Sequence, residues 1–384
     1  MSTTCVAPAP RAAWKPRYGA WTDELADLGL PASCVDHQWP QTIAHTPALQ
    51  DLHRAYTRLS TAGLQQHLTQ QSDDAGATVR DGLVAAVEHH SDYSVALLGD
   101  GASLPARLVI DASGHGSRFV DRSDTTPRAW QLAYGQLLRV PGGHPWPLGQ
   151  MVLMDFRLPA GVGPGWTALP TFLYAMPLDK EHVFVEETSL VHAHPPAIPV
   201  LQARLAERLA AAGVVGEVLE EERCRIQMTG PPAVHGQRTV AFGAAGDMVH
   251  PATGYQLARL LRSAAPLAAA IAAGLEQAGP TQAAASAWDT LWTPQQRRSW
   301  ALYTFGAGVL GDLDHAQTVA FFEAFFALSP DKWQGFHSAT LPPSGVASTM
   351  TAFFLRAPGA IRRQLVSASA SRAGLSMLRG VAWA

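Results

Sequence analysis

The chain has 384 residues, 47% of them hydrophobic and 15% charged, with a formal net charge of −3, enough apolar material for one large or two modest cores. An isoelectric point near 6.6 and the lack of a basic stripe argue against a nucleic-acid partner. Cys5, Cys34 and Cys224 are too far apart for a disulfide framework or a close thiolate pair on zinc, and they suit a reducing compartment.

The opening stretch MSTTCVAPAPRAAWKPRYGAW carries no signal-peptide apolar run. WTDELADLGL (21–30) reads as a short helix, and RAYTRLSTAGLQQHLTQQ (54–71) as a longer one with Leu59, Leu64 and Leu68 near helical spacing. TVRDGLVAAVEHH and YSVALLGDGASLPARLVIDASG alternate as a meander turning at Gly99-Asp100-Gly101 and ending in a buried-type strand from Ala106 to Ile110. From Trp130 to Met228 the texture is that of a β-rich unit: AYGQLLRV, MVLMDFR, PTFLYAMPL and HVFVEET as strands, IPVLQARLAERLAAAG as a helix.

TVAFGAAGDMVHPATGYQLARLLRSAAPLAAAIAAGL then returns to strand, Gly-rich turn and helix, so that a first α/β domain is completed by a late segment. The longest apolar stretch, APLAAAIAAGL (265–275), falls short of the roughly 20 residues a membrane span requires. Residues 288–330 are helical and aromatic-rich, and the tail from Lys332 carries Arg356, Arg362, Arg363, Arg372 and Arg379 with no acid. The expected division is 1–129 and 229–280 for the α/β domain, 130–228 for the β-rich unit and 281–384 for a helical region with a basic tail.

Three segments carry candidate chemistry. In LVIDASGHGSR (108–118) a strand ends at Asp111 and turns on small residues around Gly114, which lets backbone approach a pyrophosphate or ribose; many α/β turns look the same. In VAFGAAGDMVHPATGYQLARLL (240–261), Gly243 and Gly246 permit a tight passage into a helix starting near Gly254-Tyr255, whose N–H groups would face an anion or an electron-rich ring. His250 has no second ligand at metal spacing and reads as a hydrogen-bond partner, so no metal site is expected.

The third segment, HVFVEETSLV (182–191), sets two carboxylates side by side in a strand. Alternation sends Glu186 to the face of Phe184 and Thr188, and Glu187 to the face of Val183 and Val185. The plain reading pairs each acid with an arginine such as Arg157 or Arg139.

Taken in order, these segments resemble the lycopene cyclases of plants and cyanobacteria. APAPRAAWKPRYGAWTDELADLGL is similar to that family's Pro-x-x-x-Trp-x-x-x-Tyr-Gly-x-Trp-x-Asp-Glu segment, PTFLYAMPLDKEHVFVEETSLV to its Phe-Leu-Tyr-Ala-Met-Pro and Phe-Leu-Glu-Glu-Thr signatures, and AAGDMVHPATGYQLARLL to its Met-Val-His-Pro-x-Thr-Gly-Tyr motif. The resemblance runs from about Val6 to Phe336. It implies an FAD/NAD(P)-binding Rossmann-like fold and an isomerase, formally an intramolecular lyase, that protonates lycopene, closes a six-membered ring through a cation and loses a proton. Reduced FAD, with NADPH as electron source, would be required without net redox change.

On this reading Glu186 delivers or relays the proton, Glu187 holds the strand or its hydrogen-bond network, and Asp155 is the next candidate acid. An acid in an apolar tunnel keeps its proton near neutral pH, and Phe172, Tyr174 and Phe184 would face the cation. Cofactor contacts fall to Arg54, Asp111, Gly114, Gly243, His250, Pro251, Thr253, Gly254 and Tyr255.

Where the family has Met-Asp-Trp-Arg-Asp, this chain has Met154-Asp155-Phe156-Arg157-Leu158, without the second acid. The family's opening strand, Gly-x-Gly-x-x-Gly turn and helix have no counterpart either, since Thr4 to Val6 would align with the end of the second strand. A start codon placed downstream is the favoured explanation, and a shortened product with poor FAD binding the other. A redox flavoenzyme and a non-catalytic carotenoid-binding protein stay open as alternatives, as do ring type and oligomeric state. A cyclase of a bilayer-dissolved hydrocarbon would dock on the plasma or thylakoid membrane from the cytoplasmic side, with Phe353, Phe354, Leu355, Trp383 and the tail arginines as the means.

Overall fold

Alternating apolar residues from Ala129 onward build long antiparallel strands. The computed structural model describes residues 2–123, 126–370 and 372–383, and among these it shows a seven-stranded sheet. Its order is Glu217–Thr229, Ala129–Arg139, His182–Ser189, Thr171–Pro177, Gln150–Asp155, Gln41–His45 and Leu49–Asp51. Two strands from before residue 60 thus complete the β-rich unit. One face packs Tyr134, Leu173, Val183 and Val185 on Leu201 and Leu205 of the helix Ile198–Ala211. The other packs Phe172 and Met154 against Phe322, Phe325 and Phe353 of the C-terminal helices.

The α/β part contains two parallel pairs. Thr4–Ala7 pairs with Thr78–Asp81, and Val109–Asp111 with Thr239–Ala241. Three expectations shift here. The helix placed at 54–71 begins only at Thr61, because Ser60 caps it by accepting the Gly63 N–H at 3.0 Å; Tyr56–Leu59 before it is a strand between Gly19–Trp21 and Val35–Trp39. The meander stops at Ala106, and the following Val109–Asp111 leaves it for the parallel pair, with Ile110 48% exposed rather than buried. The late helix starts at Leu257 rather than at Gly254-Tyr255, because Gly254 at φ +78° keeps the chain in a turn.

The helix Leu257–Gln277 is long and apolar enough to cross a bilayer, unlike the shorter run read from sequence. Its Leu267, Ile271 and Leu275 nevertheless pack with Ala283, Ala287 and Trp288 of the helix Pro280–Leu291. Gly274 sets that approach: a Cβ there would stand 2.6 Å from the Ala283 Cα. The tail forms three helices, Pro343–Arg356, Gly359–Ser369 and Arg372–Trp383, with Pro358 ending the continuity between the first two. The side chains of Arg372 and Trp383 lie outside the described residues.

Gly274→Leu should overpack this helix crossing and cost about 1–3 kcal/mol, read as a lower urea midpoint. An unchanged midpoint would contradict the close approach.

Candidate active site

The two adjacent acids have opposite surroundings. Glu187 lies between Tyr134 and Leu173 across the neighbouring strands, wholly buried, with its carboxylate 2.7 Å from Arg208 Nε and accepting the Thr171 hydroxyl. Burial raises its proton affinity, and Arg208 and Thr171 oppose that. Arg204 extends the group by donating to Thr171 Oγ1 at 2.9 Å. Neither arginine suggested by sequence serves either glutamate: Arg157 pairs with Asp155 and Arg139 with Glu181.

Glu186 lies between Gly135 and Tyr174 on the other face. It accepts the Thr188 hydroxyl at 2.8 Å and, among the described residues, makes no ion pair. Burial, reinforced by the nearby Glu222, pushes its carboxyl up to about 7 against the pull of Thr188 and Arg17. Such a group holds a proton near neutral pH and can give it away. Asp155 is different. Burial would raise it, but the side-chain and backbone bonds from Arg157 hold it below the usual carboxylate range, so it stays ionised and is no proton donor there.

A cavity of about 920 Å³ runs along this face, lined chiefly by Phe172, Tyr174, Phe321, Phe322, Phe325 and Phe353. Glu186 is not in its wall; Tyr174, its neighbour across the strand pair, is. Phe184 is not there either. It lies under the Arg17 guanidinium at 4.9 Å, in the room Gly135 leaves, where a Cβ would meet its ring at 2.6 Å.

A second, smaller space of about 360 Å³ opens at the start of the Leu257–Gln277 helix and shares Tyr255 and His337 with the cavity. Gln256 Oε1 and one Nη of Arg259 are buried near it without hydrogen-bond partners. The Arg259 guanidinium lies 4.2 Å and 4.3 Å from the ring centres of Trp292 and Trp300, and burial lowers it to about 9. Unpaired polar atoms at a helix start, together with a dry cation, fit a polar, electron-rich group such as a flavin.

His250 shapes the turn. Its Nε2–H donates to Phe336 O at 3.1 Å and its Nδ1 accepts the Ala252 and Thr253 N–H groups at 3.2 Å, with burial lowering the ring to about 3 and keeping it neutral. Pro251, between them, is buried, and a Cβ on Gly254 would stand 2.9 Å from Gln131 Oε1. Arg54 holds the far wall, bonding Asp23 at 2.9 Å and Ser338 at 3.0 Å above the Trp21 ring.

Asp111, Gly114 and Gly243 are not in this wall. Asp111 accepts Ser113 N–H at 2.8 Å and the Ser117 hydroxyl, in a turn at the carboxyl end of the parallel pair, beside the turn at Gly243. Gly114 at φ +89° has open space where its Cβ would be. A crevice outside parallel strand ends suits a dinucleotide. Sequence reading missed Arg259, Tyr56, Glu222 and Cys224. Arg259 looks like any helix arginine, and nothing local announces the two tryptophan rings it lies against.

Residues 1–363 match the family model described as lycopene cyclase protein. The chain belongs to the lycopene cyclase family. A lycopene beta cyclase of Synechococcus elongatus is 38% identical over 91% of the chain and 86% of its own length. A chromoplastic capsanthin/capsorubin synthase of Citrus sinensis is 37% identical over 96% of the chain and 75% of its length. Among solved structures, a geranylgeranyl bacteriochlorophyll reductase-like protein of Thermoplasma acidophilum superposes with TM-score 0.66 at 13% identity, over 91% of this chain and 88% of that one. HpxO of Klebsiella pneumoniae, solved with FAD and uric acid, gives 0.55 at 15% identity, over 88% and 96%. The fold of this lycopene cyclase family member is thus the Rossmann-like fold of FAD-binding flavoenzymes.

Glu187→Ala should leave Arg208 buried without its counter-charge and cost about 3–5 kcal/mol in urea unfolding, whereas Glu186→Gln should cost far less. Equal losses would contradict the division of the two acids.

Proposed function

We propose that this chain is a carotenoid cyclase that closes the linear ends of lycopene into β-ionone rings, with Glu186 as the acid. The observation that carries this is an unpaired carboxyl poised at about 7 beside an aromatic cavity of about 920 Å³. The Glu186 carboxyl supplies the proton, relayed past Tyr174, that adds to the terminal alkene. The electron pair of a second alkene in the same chain then forms the ring bond to the resulting cation, and loss of a ring proton restores a double bond. One proton enters and one leaves, so the product is an isomer and the step is an intramolecular lyase reaction.

The walls suit that chemistry. Phe172, Tyr174 and Phe322 offer ring faces to a cation, and no carboxylate lines the cavity among the described residues, so the acid acts from behind Tyr174. The mostly apolar lining also disfavours water that would trap the cation as an alcohol.

FAD would be held by the turn at His250, Pro251, Thr253, Gly254 and Tyr255 with Gln256 and Arg259, and by the turns at Asp111–Gly114 and Gly243. Reduced by NADPH, it would supply electron density to stabilise the developing positive charge. An acid-catalysed step does not by itself require redox, which favours the cyclase over a hydroxylase or reductase; a pigment-binding protein would not need a desolvated acid without an ion pair.

Membrane docking is part of this proposal. Thr349, Met350, Phe353 and Leu365 of the tail helices wall the cavity, and the same helices expose Leu355 and Val366 with Arg356, Arg362 and Arg363. An apolar, cationic surface over a hydrocarbon cavity fits peripheral association with the cytoplasmic face of a plasma or thylakoid membrane.

In cells that accumulate lycopene, Glu186→Gln should abolish β-carotene formation, and wild-type turnover should fall as pH rises through about 7, because the acid is active only while protonated. Near-normal product from that variant would refute the assignment. Arg362→Glu with Arg363→Glu should weaken sedimentation with anionic liposomes at low salt at least about tenfold, since each cation contributes about 1 kcal/mol. Unchanged sedimentation would rule this surface out as the anchor.

A further inference from the structure

Glu186 is within reach of a cation that does not ionise it. Arg17 precedes the strand Gly19–Trp21, and its guanidinium stands over Phe184, two residues before the acid on the same sheet face. Free, it would pair with Glu186 and hold it as a carboxylate. It is not free. Its Nη1 donates to Glu222 at 3.2 Å, its backbone N–H donates to the other Glu222 oxygen at 3.1 Å, and its Nη2 bonds Glu220.

The sheet register explains the arrangement. Glu222 lies opposite Gly135, and Gly135 lies opposite Glu186, so the three share one line across three strands with no side chain at the centre. Cys224, opposite Ala133, is the next residue on that face of the edge strand. Oxygen atoms of the two carboxyls and the Cys224 sulfur all lie within 4.8 Å of one another. A metal could claim three such ligands, but Arg17 already fills the place of a counter-cation.

We infer that Glu222 is a positioning residue for Glu186: it clamps Arg17 away from the acid and sets a like charge across Gly135, so that the acid keeps its proton between turnovers. This rests on the reading of Glu186 as the proton donor. The other groups around the acid do not replace that control. Tyr174, from the neighbouring strand, and Tyr56, from the three-stranded sheet, are pushed up by burial and stay neutral, as does the Cys224 thiol; Tyr18, beside Glu222, is likewise raised by burial. Arg58 pairs with Asp36 at 2.7 Å, and Thr188 gives a neutral hydrogen bond.

The test follows the Glu186 carboxyl by the infrared carbonyl band that is present in the wild type and lost in Glu186→Gln, titrated in the full chain alongside cyclisation of lycopene in liposomes. Glu222→Gln should lower the midpoint by about one pH unit or more, cut cyclisation at pH 7 roughly fivefold, and regain it at lower pH. Arg17→Met should raise the midpoint. The double variant, losing both charges, should return close to wild type.

A midpoint unchanged or raised in Glu222→Gln, or unchanged or lowered in Arg17→Met, overturns the inference, as does a double variant that stays at the single Glu222→Gln value. If Glu222→Gln fails to fold, the sign of the Arg17→Met shift decides. Failure of the underlying reading is seen separately, as a Glu186→Gln variant that still cyclises lycopene.

Discussion

Everything in the candidate site depends on a partly buried carboxyl that has been given a hydrogen bond but, among the described residues, no ion pair. A carboxylate desolvated in protein must find a counter-charge or take up a proton. Glu187 takes the first course with Arg208, and Glu186 the second with only the Thr188 hydroxyl and a neighbouring glutamate. Strand alternation lets one dipeptide supply both, because its two side chains face different layers. The helix Ile198–Ala211 brings the arginines to one face, and the aromatic C-terminal helices bring none to the other.

That segregation also organises the two spaces. The larger is apolar and suits a hydrocarbon; the smaller has a helix start, a buried arginine and unpaired polar atoms. Tyr255 and His337 belong to both walls, so a flavin in one would lie against a polyene in the other. His337 accepts the Trp21 Nε1–H at 3.2 Å on Nδ1, and Arg54 braces Trp21 from above. Residues far apart in the chain thus fix the partition, and each is held by its own packing.

What the sequence shows and what it hides follow from range. Glu186 and Glu187 could be sorted by face because a strand has period two, and the β-rich texture of 130–228 followed from alternation. The Leu59 pattern misled because an apolar strand running into a capped helix keeps helical spacing across the junction at Ser60. Arg208 as the partner of Glu187, Glu222 as the neighbour of Glu186 and the cavity lining from Phe321 to Phe353 depend on which elements meet, and local pattern carries none of that. The motif resemblance reached further, since it pointed to the segments that converge on the site. It too left Arg17 and Arg259 unmarked.

Strand register decides which of the two acids is ion-paired. A slip of one residue in the His182–Ser189 strand would exchange the faces of Glu186 and Glu187, setting the proton donor against Arg208 and the ion-paired acid beside Tyr174. Arg208 would still meet a carboxylate after such a slip, so the ion pair alone does not choose the register. Val183 and Val185, now packed on Leu201 and Leu205, would leave their core. The register is therefore set by those valines, which hold Glu187 against Arg208 and Glu186 opposite Gly135, where a carboxyl can stay protonated.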